Sequence, residues 1–300
     1  MFEPRGMNAM DISSFYEPDS GTWTYLLADP VERVAAVIDP VWVFDPVSGK
    51  TDTRFIRQVL DRARESEYRI DWVLETHAHA DHLSAAGWIK ERTGARTACG
   101  RGICGVQENF ARVFNMKDLP ADGSAFDRLL DGGDTIEIGG LTIQVMETPG
   151  HTGDSVTYVV ENTAFIGDTL FSPKFGTARC DFPGGDAGAL YDSIRALYEL
   201  PGDTRLFLCH DYPKAGQEPV RDVTVEESRR NNIHLAADTT KEEFIAMRTQ
   251  RDSQLGLPRL ILPSLQVNIL GGESPGADDN GVSYLRIPFN RSIADLIKGD

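Results

Sequence analysis

The sequence predicts a mixed α/β domain, and three observations carry that prediction. Runs rich in β-branched and aromatic residues alternate with runs whose apolar residues recur at helical spacing. Two β-rich runs are followed so closely by a second that each pair reads as a hairpin, which adds α+β character. Four predicted strands lead into a histidine or an aspartate, so ligand-type side chains collect at strand C-terminal ends, the rim where open α/β sheets bind ligands.

Taken in order, TWTYLLAD (22–29) and VAAVIDPV (34–41) are β-rich and parted by a short polar turn, the first hairpin. In TRFIRQVLDRARESE (53–67), Phe55, Ile56, Val59 and Leu60 share a helical face. IDWVLE (70–75) is a short buried strand, and THAHADH (76–82) follows it directly. SAAGWIKERTG is a helix closed by glycine, and ICGVQENFARVF is a second helix. DTIEIGGLTIQVMETPGH reads as strand, Gly-Gly turn and strand, ending at His151. SVTYVVENTAFIGD is a hairpin ending at Asp168. GALYDSIRALYEL is an amphipathic helix, and TRLFLCHD is a strand ending at His210. The last 60 residues hold a charged helix, KEEFIAMRTQ, and a Gly/Pro-punctuated tail, LGLPRLILPSLQVNILGGESPG. That tail is expected to be an appended lid or dimer element. The expected division is a domain over 1–240 and a C-terminal extension over 241–300 packed on it.

Composition narrows the partners. A net charge of −16 argues against a nucleic-acid backbone and means that an anionic substrate needs a local basic patch. No apolar run approaches the roughly 20 residues that span a membrane, and the N-terminus lacks the basic and apolar blocks of a secretory signal. Cys99, Cys104, Cys180 and Cys209 form no CxxC pair and are too scattered for a disulfide framework, so the cytoplasm is the expected compartment.

THAHADH places three of six histidines and one aspartate in seven positions. His77 and His79 alternate along an extended segment, and Asp81 and His82 follow within a turn. His151 in TPGHTGDS, Asp168 in FIGDTLF and His210 in LCHDYP complete the set, while His234 lies elsewhere. A first-row metal needs neutral imidazoles and carboxylates converging on one point, which this pattern supplies. Gly150 and Gly153 flank His151 and Gly167 precedes Asp168, where glycine permits sharp turns and close approach.

H-x-H-x-D-H, PGHT, GD-T-L and a late strand-end histidine resemble the metallo-β-lactamase superfamily over roughly residues 20–235. The resemblance implies a four-layer αββα sandwich with a metal site at one edge, between two sheets. Superfamily membership does not fix the reaction. His210-Asp211-Tyr212, the element Arg179-Cys180-Asp181-Phe182, and Thr224-Val225-Glu226-Glu227 followed by Arg229 and Asn232 are similar to the iron-dependent persulfide dioxygenase branch. Pro263 and Asn268 fall in a segment similar to its C-terminal region. Departures are Cys180, the run Pro183-Gly184-Gly185, an inserted SPKFGTA and a longer tail.

That branch implies one Fe(II) per chain on His77, His151 and Asp168, with His79, Asp81, His82 and His210 in the surrounding shell. It implies oxidation of glutathione persulfide, or a related small thiol derivative, by O₂ and water to glutathione and sulfite. It also implies a homodimer. Arg179, Tyr212 and Arg229 are the substrate-binding candidates, because a guanidinium fork can grip a carboxylate at two points. Arg179 is expected to pair with Asp181, which would position a loop at the site together with Asp211. Cys180 is expected to pack. The rival reading is a glyoxalase II-type thioester hydrolase with two zincs: His77, His79 and His151 on one, Asp81, His82 and His210 on the other, Asp168 bridging. A third reading, ranked last, is a sulfur or metal sensor switched through Cys99 and Cys104.

Overall fold

The structure, a computed structural model, describes residues 10–298. Its first sheet runs β1 (Asp11–Glu17), β2 (Thr22–Asp29), β3 (Val34–Ile38), β6 (Arg69–Leu74), β8 (Arg96–Gly100), β9 (Arg128–Leu130). A short sheet of β5 (Lys50–Asp52), β4 (Val41–Asp45) and β7 (Leu83–Ser84) lies beside it. The second large sheet runs β10 (Thr135–Ile138), β11 (Leu141–Glu147), β12 (Val156–Val160), β13 (Thr163–Phe165), β14 (Arg205–Phe207), β15 (Asp222–Thr224).

Strand alternation explains the layering. Along β2, Trp23, Tyr25 and Leu27 point one way and Leu26 and Ala28 the other, and both sets are buried. The first set meets Ile143, Val145, Tyr158 and Phe165 of the second sheet. The second set packs under α1 (Arg54–Glu65) and α2 (Ala86–Thr93) through Ile56, Val59, Trp88 and Ile89. The outer face of the second sheet carries α4 (Ala187–Tyr198) and α6 (Lys241–Asp252) through Leu190, Ile194, Leu197 and Phe244. Helix, sheet, sheet, helix is the four-layer order anticipated from the motifs.

The remaining helices close one end. Residues of α3 (Ile103–Val113), α7 (Ile261–Asn268) and α8 (Ile293–Lys298) share one buried cluster that includes Phe110, Leu265 and Ile293. α5 (Val225–Asn231) follows β15. Sequence spacing missed α7, because prolines and glycines break the pattern of the tail. Pro263 falls in the first turn of that helix, where its missing N–H costs nothing.

β3, β6, β8 and β9 pair in parallel, so their C-terminal ends share one edge. THAHADH leaves β6 there. Past β14, Trp23 N donates to Cys209 O at 2.8 Å, and an isolated bridge joins Thr22 to His210. These contacts knit the two sheets together where the histidines meet.

Candidate metal centre

His77, His151 and Asp168 offer ligand atoms that lie within 4.8 Å of one another. His77 Nε2 is 4.0 Å and His151 Nε2 3.6 Å from Asp168 Oδ2. All three residues are buried or nearly so.

The network behind them fixes which nitrogen faces the centre. Thr76 Oγ1 donates to Asp39 Oδ2 at 2.9 Å and can then accept only from His77 Nδ1, 3.0 Å away. That places the His77 proton on Nδ1 and leaves Nε2 bare. His151 Nδ1 donates to Arg179 O at 2.7 Å, again baring Nε2. His79 Nε2 donates to Asp39 Oδ1 at 3.1 Å, which makes Nδ1 the nitrogen that is bared when the ring is neutral. His77 Nε2, His79 Nδ1, His82 Nε2 and Asp168 Oδ1 are all buried without a hydrogen-bond partner. Orphaned lone pairs are costly in a protein interior, and a bound cation satisfies them. The donor set of imidazoles and one carboxylate suits a divalent first-row metal.

A second group lies alongside. His79, Asp81 and His82 also fall within 4.8 Å of one another. His210 Nε2 sits 3.4 Å from Asp81 Oδ2 and 3.4 Å from Asp168 Oδ1, and His210 Nδ1 faces Gly21 O at 3.3 Å. Thr22 Oγ1 reaches Asp81, His82 and His210 at 3.3–3.5 Å, so one hydroxyl threads this group.

Charge follows this geometry. Burial, reinforced by neighbouring His79 and His151, holds His77 well below the usual imidazole range, the neutral state a ligand needs. Burial opposes a charge on His79, but Asp39 overrides it and holds that imidazole well above its ordinary value. Burial likewise opposes His210, and Asp168, Tyr212 and Asp81 raise it.

The glycines do what their neighbours require. Gly150 has φ 137°, and a Cβ there would fall 2.3 Å from Leu190 N. Gly167 has φ 52°, and a Cβ would lie 2.6 Å from Thr76 Oγ1, inside the relay that orients His77.

A cavity of about 470 Å³ opens over the centre. Phe171, Phe175 and Phe182 form apolar wall, and Tyr212 stacks on His210 with ring planes 3° apart. Arg179 lines it too, yet its guanidinium is engaged: Nε and Nη2 grip Asp181 at 2.6 and 2.7 Å, and Nη1 donates to Gly256 O. Asp211 holds the loops behind, accepting from Ser172 Oγ and Val220 N. Arg229 is exposed on α5 and does not line the cavity. Arg251 and Arg259 do; both are exposed, and Asp45 is the acidic group that feels the Arg259 charge. Buried Arg248 anchors the helix that carries Arg251 by pairing with Asp252 and donating to Thr177 O.

Cys180 is buried and its thiol is pushed up to about 12 by burial and by Asp252. Cys99 is buried in the cluster around α3, and burial raises its thiol well above the ordinary value. His234 packs against the cavity loop, accepting from Thr177 N at 3.0 Å. Sequence reasoning did not single out Asp39, Thr76, Glu75, Thr22, Arg251 or Arg259. The strand-end position of Asp39 was the one available signal.

A family model described as the metallo-beta-lactamase superfamily matches residues 29–210. The chain belongs to this superfamily. It is 47% identical over 292 residues to a probable metallo-hydrolase of Burkholderia pseudomallei (strain 1710b), covering 94% of this chain and 99% of that one. It is 41% identical to glyoxylase B2 of Dictyostelium discoideum, over 94% of this chain and 98% of that one. The mitochondrial persulfide dioxygenase ETHE1 of Homo sapiens is 31% identical over 78% of each chain. The crystal structure of ETHE1 from Myxococcus xanthus matches with a TM-score of 0.70 and 30% identity, covering 88% of this chain and all of that one. The chain thus has the metallo-beta-lactamase fold of a metal-binding, hydrolase-like superfamily, and carries His/Asp clusters that could hold a metal ion. No helix among the described residues is long and apolar enough to cross a membrane.

Proposed function

We propose that this protein is a persulfide dioxygenase, in which glutathione persulfide, O₂ and water give glutathione, sulfite and protons. One observation carries the proposal. The R-x-D-F element, the sequence feature that points to the dioxygenase branch, is wired to the metal face: Arg179 O holds His151 Nδ1, and Phe182 walls the cavity beside the His151 ring. The similarity to ETHE1 proteins supports it.

His77, His151 and Asp168 would hold one Fe(II), a two-histidine, one-carboxylate face with open positions. Iron held there supplies the redox chemistry by which O₂ reacts with a sulfur anion. The chain's own groups do the rest. Thr76 and Arg179 O keep the His77 and His151 protons away from the centre. Phe171, Phe175 and Phe182 exclude water from the reacting sulfur. Arg251 and Arg259 face the two carboxylates of a glutathione body, with Tyr212 at the same opening. Asp19, on the cavity wall, suits its ammonium group. In a chain of net charge −16 these arginines are the local basic patch that an anionic substrate needs.

A second reading has a specific observation behind it. His79 Nδ1 is buried without a hydrogen-bond partner, and His210 Nε2 lies between Asp81 and Asp168, so donors for a two-zinc thioester hydrolase are also at hand. The glyoxylase B2 likeness favours this reading. Metal analysis with oxygen uptake separates the two. About one iron per chain and uptake on adding glutathione persulfide is expected. Two zincs per chain and S-lactoylglutathione hydrolysis without uptake would replace the first reading by the second. His82→Ala should leave metal content near wild type in the iron enzyme, and should lower it in a dinuclear hydrolase.

A further inference from the structure

Asn268 ends α7, far along the chain from THAHADH, yet its side chain is buried against that loop. Its Nδ2 donates to His79 O at 2.8 Å and to His82 O at 2.9 Å, and its Oδ1 accepts from Ser84 N at 2.7 Å. One amide therefore uses both donors and an acceptor on three backbone groups of the metal loop. The chain continues this grip from both sides. Ser84 Oγ donates to Glu75, whose other oxygen lies 3.5 Å from His79 Nε2. Just beyond α7, Gly272 crosses Gly87 so closely that a Cβ on either would fall 2.8 Å from backbone of the other. Gln107 Nε2 fixes Ile269 O at 2.9 Å, which sets the end of the helix.

We infer that Asn268 is a positioning residue for the metal centre: the C-terminal segment sets the direction of the His79 and His82 rings by clamping their carbonyls. The inference rests on the metal centre alone, so it stands under the iron or the zinc reading. Without the amide, two buried carbonyls and one N–H lose their partners, and the loop must turn to find others. The rings swing with it.

The test separates positioning from bulk stability. Metal-free wild type, Asn268→Ala and Asn268→Ser are titrated with Fe(II) under anaerobic conditions, and separately with Zn(II), against a chromophoric chelator. Thermal midpoints of the metal-free proteins are measured in parallel. Gln266→Ala is the control. It is equally buried on α7 but bonds Leu262 O and the backbone of Arg286, away from the metal loop. Asn268→Ala is expected to weaken Zn(II) binding, which draws on His79 and His82 themselves, roughly 10- to 100-fold, and Fe(II) binding on His77, His151 and Asp168 by less, since there the two rings only surround the ligands. Asn268→Ser, which keeps one donor and acceptor, falls between it and wild type. Gln266→Ala lowers the metal-free midpoint and leaves metal affinity within about twofold. Wild-type metal affinity in folded Asn268→Ala, or equal losses in Gln266→Ala and Asn268→Ala, overturns the inference. If wild type binds neither metal, the metal-centre reading falls and this inference with it; an enzyme that binds metal but does not oxidise persulfides leaves the clamp in force.

Discussion

Asp39→Asn exchanges a single heavy atom and should nonetheless loosen the metal. Asp39 has φ 49°, a conformation asparagine accepts readily, so the backbone is undisturbed. The asparagine oxygen best replaces Oδ1, which receives Thr76 N at 2.8 Å and His79 Nε2 at 3.1 Å. The opposite placement would set an NH₂ against both donors. The new NH₂ then faces Thr76 Oγ1 where a carboxylate oxygen had accepted its proton. Thr76 must turn its hydroxyl proton towards His77 Nδ1, 3.0 Å away, and the His77 proton moves to Nε2. That is the atom facing Asp168. A ligand in the wrong tautomer should weaken metal binding about 10- to 100-fold, or about 1.4–2.7 kcal/mol. Competition with a chelator measures the loss, and nitrogen NMR of the metal-free protein reads the His77 tautomer directly. Thr76→Val breaks the same relay, so the double variant should lose little more than either single one. Wild-type affinity in folded Asp39→Asn, or additive losses in the double variant, would refute the relay.

Two further outcomes follow from the cavity and the loop behind it. Arg251→Gln with Arg259→Gln should raise KM for glutathione persulfide about 5- to 30-fold, from about 0.5–1 kcal/mol per exposed charge, with kcat within about twofold. Steady-state oxygen uptake at two salt concentrations checks this, and an unchanged KM would place the carboxylates elsewhere. His234 titrates near 4 rather than 6.5 because burial and then Arg248 and Arg251 disfavour its charge. Its folded value is depressed, so its contribution is fully present above pH 6.5 and is lost as pH falls towards 4. Discounted for partial exposure, that loss is about 1–2 kcal/mol. Denaturant titrations of wild type and His234→Gln should show the variant losing less stability by about that amount between pH 7 and 4.5. Parallel pH profiles would count against it.

The centre of the site was legible because its signals are local. THAHADH sits directly beyond β6, and the glycines that let His151 and Asp168 approach are their sequence neighbours. The sheets were legible in part. A run of aromatic, threonine and leucine residues marks β2, and the turn after it marks the hairpin to β3, whereas β7 and β9 are too short to carry a pattern and exist through pairing. The motif run likewise offered Arg229 as a substrate group but could not say which side of the fold it faces, and Arg251 and Arg259 took the cavity instead.

The sequence by itself therefore determined the ligand types and their glycine hinges, because each depends on neighbours a few residues apart, while the αββα order was implied by the family resemblance that its motifs carry. Only the tertiary structure decided which nitrogen of each histidine faces the centre, through Asp39, Thr76 and Arg179 O, and which residues line its mouth. It also brought Asn268 onto a loop 186–189 residues away in sequence. A buried polar group must be satisfied by whatever the fold places opposite it, and sequence spacing does not encode that neighbour.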